Sequence, residues 1–176
     1  MAKILIVYYS WSGNTRRVAQ VIHEYVGGDI VELVPEKPYP TSYSETLRQA
    51  KREIESGYLP PLKTKIENIE QYDIVFVGSP NWWGTIAPPV ASFLANHNLS
   101  GKTIAPFITH GGGGKGRSIE EIKRLCPNSK ILPELVVYED GGRDLQQRVQ
   151  NWLQKIGLLE KPRTTTNKHH TPMPDL

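Results

Sequence analysis

The sequence predicts an α/β fold, a three-layer, doubly wound sheet of five parallel strands with helices on both faces. Three observations predict it. "KILIVYY" (3–9) and "YDIVFVGSP" (72–80) are nearly continuous apolar runs with β-branched residues, as in strands buried on both faces. Segments with apolar residues spaced three and four apart alternate with such runs, which implies right-handed crossovers through helices. The 176 residues, 38% hydrophobic and 22% charged, suit one domain with a full core.

The elements follow in order. After the first strand, Val18, Ala19, Val21, Ile22, Tyr25 and Val26 form one helical stripe, ended by Gly27 and Gly28. "DIVELV" (29–34) is the second strand. Residues 35–45, rich in Pro, Tyr and Ser, read as a surface loop, and 43–57 carry Leu47, Ala50 and Ile54 at helical spacing. A mostly irregular return leads to the third strand, 72–80. Pro88 and Pro89 suit a first helical turn, with Val90, Phe93 and Leu94 following. "KTIAPFITH" (102–110) is the fourth strand, and Ile119, Ile122 and Leu125 mark a short helix. "PELVVYE" (133–139) is the fifth strand, and Leu145 to Ile156 the last helix. The expected domain is 1–159. Residues 160–176 lack periodicity and read as a C-terminal tail.

Composition excludes several classes. The longest apolar runs are too short to span a bilayer, so no membrane role is expected. The N-terminus reads as a buried strand rather than a signal peptide. A formal net charge of +3 without a basic and aromatic cluster gives no reason for a nucleic-acid partner. The single cysteine, Cys126, excludes an internal disulfide, suits a reducing cytoplasm and reads as a small buried or half-buried residue. His169 and His170 have no partner at ligand spacing, so no metal site is expected.

In such sheets ligands bind beyond the carboxyl ends of the strands. The loops after strands one, three and four are therefore the ones to read. In "SWSGNT", Ser10, Ser12, Asn14 and Thr15 surround a helix N-terminus with unpaired N–H groups, and Gly13 lets the backbone curl close. One helix cap needs one such residue, and this loop has four, so a phosphate cradle is expected. Arg16 and Arg17 add long-range field. After strand three, Trp82 and Trp83 are either stacking groups for a flat ligand or one core and one rim residue. Gly84 fits a tight turn. Gly111, Gly112, Gly113 and Gly114 let backbone approach a ligand. Lys115 is followed by Gly116 instead of Ser or Thr, so this is no P-loop. Gly111, Gly113 and Gly116 match G-x-G-x-x-G only formally, because the loop follows the fourth strand.

"YYSWSGNTRRVA", "VGSPNWWGTIAPPV" and "PFITHGGGGKGRS" together resemble a flavodoxin over residues 3–157. The first resembles that family's S/T-x-S/T-G-x-T phosphate loop. The resemblance implies non-covalent FMN on a sheet of order 2-1-3-4-5. Ser10, Ser12, Gly13, Asn14 and Thr15 would hold the phosphate. Pro80, Asn81, Trp82, Trp83 and Gly84 would line the ribityl chain and ring, and the Gly84 peptide would reorient as flavin N5 gains a proton. Thr109, His110 and Gly111 to Gly114 would edge the pyrimidine side by backbone contacts. The family's shuttles are usually strongly acidic, whereas this chain is mildly basic. Its third loop offers His110 and glycines where a second aromatic is common. Tyr39, Tyr43 and Tyr58 either cover the site or pack on a helix. Trp11 is expected to cover the phosphate loop from outside.

The expected function is cytoplasmic electron transfer through bound FMN, to a redox partner protein or a small-molecule acceptor, by a monomer or weak homodimer. The alternatives are an FMN-dependent NAD(P)H oxidoreductase of quinone-reductase type and a flavin-free binding module.

Overall fold

The computed structural model describes residues 2–160. The expected tail, with His169 and His170, lies outside the described residues apart from Glu160. The strands are β1 (Ile4–Tyr8), β2 (Asp29–Glu32), β3 (Ile74–Trp82), β4 (Thr85–Ile86), β5 (Thr103–His110), β6 (Lys130–Ile131) and β7 (Leu135–Tyr138). The helices are α1 (Asn14–Val26), α2 (Tyr43–Ser56), α3 (Pro88–Asn96), α4 (Ser118–Leu125) and α5 (Leu145–Lys155).

The sheet order is β2-β1-β3-β5-β6, with β7 also paired to β5 and β4 to β3. All pairings are parallel except the β3–β4 hairpin. This is the expected doubly wound α/β sheet of order 2-1-3-4-5, with seven strands instead of five. Two local causes account for the difference. Pro133 lacks an N–H, so the fifth position breaks into β6 and β7. The expected loop after strand three also folds back as a hairpin, Asn81 and Trp82 pairing with Ile86 and Thr85. Its turn residues Trp83 and Gly84 both take positive φ, 57° and 81°, which matches the twist of flanking strands.

Side chains alternate across β1. Leu5 and Val7 join Val75, Val77, Ile104 and Ile108 under α3 and α4. Ile6 and Tyr8 join Phe76, Ala105 and Phe107 under α1 and α5. Each central strand is therefore covered on both sides, as its unbroken apolar run requires. Ser42 caps α2 by accepting from the Glu45 N–H, and the paired prolines open α3. Cys126 is buried, and burial pushes its thiol up to about 11. Among the described residues no helix is long and apolar enough to cross a membrane.

The tightest point of the sheet is the β3–β5 pair, where Gly78 stands opposite Phe107. A Cβ on Gly78 would lie 2.2 Å from the Phe107 ring. Gly78→Ala should cost about 1–3 kcal/mol by overpacking, read as a lower urea midpoint. Adding Phe107→Leu should recover part of the loss, because the two residues contest the same space.

Candidate functional site

The β1–α1 loop builds one end of the site. Gly13 takes φ 101° at the helix start, and no side chain caps α1 in the usual way. The buried Ser10 hydroxyl turns inward and accepts from the N–H groups of Gly13 (3.1 Å) and Arg16 (3.2 Å). The Asn14 N–H reaches Ser12 Oγ at 3.4 Å. The N–H groups of Trp11, Ser12 and Thr15 meet no acceptor among the described residues. The first turn of α1 carries no acidic residue. Unpaired N–H groups at a helix terminus without a competing carboxylate suit an anion.

Thr15 and Thr109 are buried and share a hydroxyl hydrogen bond of 2.8 Å. That contact ties the β1 loop to the end of β5. Arg16 grips Glu32 through Nε (2.9 Å) and Nη2 (2.7 Å), and the Tyr8 hydroxyl donates to the same carboxylate at 3.0 Å. The Arg16 Nη1 lies 3.5 Å from where a Cβ on Gly13 would stand. Its charge is thus held under the loop, already paired, rather than acting only as distant field. Arg17 donates to the Asp140 carbonyl at 2.6 Å, fastening α1 to the loop after β7.

The opposite wall joins the β3–β4 hairpin to the glycine loop. Asn81 donates from Nδ2 to the Gly114 carbonyl (2.7 Å) and accepts the Gly84 N–H at Oδ1 (2.8 Å). The Gly84 carbonyl accepts from the Arg117 N–H at 2.6 Å. A Cβ on Gly116 would fall 2.4 Å from that carbonyl, so only glycine fits there. His110 Nδ1 accepts from both the Gly112 and Gly114 N–H groups at 3.0 Å. The glycine run is thereby a clamped loop, not a linker. Gly116 was visible in the sequence as part of the formal glycine motif, but its role is packing on Gly84.

Between the walls lies a cleft of about 180 Å³. Ser12, Asn14, Pro80, Asn81, Trp82, Thr109, His110 and Gly111 line it, together with Trp11, Tyr43 and Glu139. Ser10, Gly13 and Thr15 sit in the adjoining loop. Trp83, Gly84 and Gly112 to Gly114 do not line the cleft, though Gly84 and Gly114 hold its Asn81 wall. A larger cavity of about 820 Å³ lies elsewhere, between the 59–67 segment and α3, and touches none of these loops.

The two tryptophans divide their roles. Trp82 is only 5% exposed and packs edge-to-face on Tyr9 and Tyr39. Trp83 is 49% exposed, donates its indole N–H to the Leu47 carbonyl at 2.7 Å and carries Lys51 over its ring. One is core at the cleft floor and the other is rim. Trp11 stacks obliquely with Tyr43 at 5.6 Å and donates to the Pro40 carbonyl. It packs against the 40–43 segment, and it also faces the cleft. Of the three tyrosines expected either to cover the site or to pack on a helix, Tyr43 lines the cleft. Tyr39 packs in the core beneath Trp82, and Tyr58 is exposed.

These groups fit FMN: free N–H donors suit its phosphate, hydroxyl and amide groups its ribityl chain, and aromatic faces its ring. The family model described as flavodoxin matches residues 3–156. The chain belongs to the flavodoxin family. FMN is the cofactor of that family, as the sequence resemblance implies. The chain is 31% identical to a solved protein of Bacteroides eggerthii described as a flavoprotein, with a TM-score of 0.78 over 89% of this chain and 99% of that one. It shares its fold with a flavoprotein of Lactobacillus acidophilus solved in complex with FMN, at 24% identity and a TM-score of 0.66, covering 86% of this chain and 99% of that one. A curated relative from Azorhizobium caulinodans, named NAD(P)H dehydrogenase (quinone), is 32% identical over 64% of this chain. The match spans only 60% of that relative's length.

Burial, with Glu32 beside it, pushes the Tyr8 phenol up to about 12 from the usual 10, and burial raises Tyr9 as well. The unfolded chain sheds these protons first, so it binds fewer protons than the native state above pH 10. The stability from keeping Tyr8 protonated is therefore complete below pH 10 and lost between pH 10 and about 12. Urea midpoints should fall over that range, and Tyr8→Phe should flatten the fall.

Proposed function

We propose that the chain binds FMN non-covalently in this cleft and transfers electrons through it. The observation that carries the reading is the set of unpaired N–H groups at the α1 terminus, opening onto a cleft walled by aromatic side chains and clamped glycine backbone. Ser10, Ser12, Asn14, Thr15 and the α1 N–H groups bind the phosphate by dipoles. Asn81 and Thr109 meet the ribityl chain, and Trp82 with Trp11 supplies apolar cover that excludes water from the ring. The backbone at Gly111, held in place by the clamped loop, offers polar groups to the ring edge. Bound FMN supplies one- and two-electron redox chemistry, which these groups tune by stacking and hydrogen bonding.

The remaining assignments follow from that reading. Residues 1–159 are the FMN-binding domain, and the protein works in the cytoplasm as a monomer or weak homodimer. The electron acceptor is a redox protein or a small molecule. A second reading, FMN-dependent NAD(P)H oxidoreductase of quinone-reductase type, draws support from the curated relatives of that name, which this chain matches over about 60% of their length.

Anaerobic addition of NADH or NADPH to the FMN-loaded protein separates the two. A carrier keeps its flavin colour until a redox protein or chemical reductant is added. Rapid bleaching followed by quinone turnover overturns the carrier and establishes the reductase. The phosphate assignment has its own check. Gly13→Asp puts a carboxylate at the anion site in a left-handed backbone position and should weaken FMN binding more than tenfold, about 1.4 kcal/mol, by fluorescence titration. Unchanged affinity would place the phosphate elsewhere.

A further inference from the structure

Beneath the cleft three buried rings touch one another. Trp82 meets Tyr9 at 5.5 Å and Tyr39 at 5.2 Å between centroids, and Tyr9 meets Tyr39 at 6.0 Å, all near edge-to-face. Trp82 lines the cleft, whereas Tyr39 stands one ring behind it. The Tyr39 hydroxyl donates to Glu53 Oε1 at 2.5 Å, and Gln49 Nε2 holds Oε2 at 2.9 Å. Glu53 lies on α2 and is half-buried. A line of contacts thus runs from the cleft floor, through two redox-active rings, to a carboxylate at the protein's edge.

Packing alone does not call for this arrangement. Phenylalanine at position 39 would fill the same space without burying a hydroxyl that then needs a partner. What the hydroxyl adds is a proton that can leave. A phenol that loses an electron becomes a strong acid, and a buried one is hard to oxidise unless a base takes the proton. Glu53 is that base, oriented by Gln49.

The geometry points to a one-electron relay, Trp82 to Tyr39 with Glu53 as proton acceptor, that refills a hole created at the cleft. It rests on the FMN reading above. The oxidant is the photoexcited flavin ring, because tryptophan and tyrosine are too hard to oxidise to feed the flavin in the dark. One electron leaves the Trp82 indole for the excited ring. One electron from Tyr39 then restores Trp82, and the phenolic proton crosses the existing hydrogen bond to Glu53 Oε1. In sum, the flavin gains one electron, Tyr39 loses one electron and one proton, and Glu53 gains the proton. The oxidised site has moved from the cleft to a phenol beside α2, where return of the electron is slower. The relay thereby keeps photo-oxidation away from the redox centre.

The test is flash photolysis of the FMN-loaded protein, following recovery of flavin ground-state absorbance in light and heavy water. Tyr39→Phe keeps the ring and removes the proton, and Glu53→Gln keeps an acceptor oxygen and removes the base. Both should shorten the charge-separated lifetime by an order of magnitude or more. The unaltered protein should show slower Tyr39 oxidation in heavy water and a tyrosyl signal by electron paramagnetic resonance. Tyr25→Phe, on the α1 side of the sheet, should change nothing. Equal lifetimes in the unaltered protein and Tyr39→Phe overturn the relay while leaving the FMN reading intact. A folded chain that takes up no FMN overturns both. Should Tyr39→Phe fail to fold, Glu53→Gln decides by the same criterion.

Discussion

The structure depends on burying the central strands β1, β3 and β5 on both faces at once. With no water on either side, every backbone N–H and C=O of these strands must be paired within the sheet. The long β3–β5 register, from Ile74–Thr103 to Pro80–Thr109, meets that demand, and Gly78 yields its side-chain volume to Phe107 so that the pair can close. Because the strands are parallel, their carboxyl ends emerge on one edge. The loops after β1, β3 and β5 therefore meet there without any further instruction.

What happens at that edge is a conflict between loop entropy and ligand geometry, settled by a few polar contacts. The Thr15–Thr109 hydroxyl pair links the first turn of α1 to the end of β5, which are far apart in sequence. Asn81 links the hairpin to the glycine loop, and His110 closes that loop on itself. The Asn81 and His110 contacts use side chains to satisfy backbone groups that have left the sheet. The α1 terminus is different, since some of its N–H groups meet no acceptor among the described residues. A site made this way is rigid where the polypeptide satisfies itself and receptive only where it does not. Dipoles rather than an unpaired cation line that terminus, because the nearest guanidinium, Arg16, is already engaged by Glu32.

Aromatic residues show how burial sorts side chains of one kind into different work. Trp82 and Trp83 are neighbours in sequence, yet one joins Tyr9 and Tyr39 in the core and the other lies on α2 under Lys51. The mirror-image turn at Trp83–Gly84 produces the split, since it throws the two indoles in opposite directions. Trp83 holds a positive φ that a bulky residue rarely adopts, and its bond to the Leu47 carbonyl helps keep it there.

The order of strands and helices, the two-sided burial of the core strands and the three loops that meet at one edge of the sheet were legible in the sequence. Apolar periodicity and turn residues act over short stretches of chain, so one can read them locally. The cluster of small polar residues at the start of α1 was legible for the same reason, since Ser10 through Thr15 are contiguous. The short strand β6 ahead of Pro133 and the β3–β4 hairpin were missed although their causes are local, because a proline and a positive-φ tryptophan each admit several outcomes. The placement of Trp11 against Tyr43, the pairing of Arg16 with Glu32, the fit of Gly116 under Gly84 and the Tyr39–Glu53 contact were decided by tertiary structure alone. Each joins residues brought together only when helices dock on a finished sheet. Such contacts depend on distances across the fold that no local pattern of residues encodes.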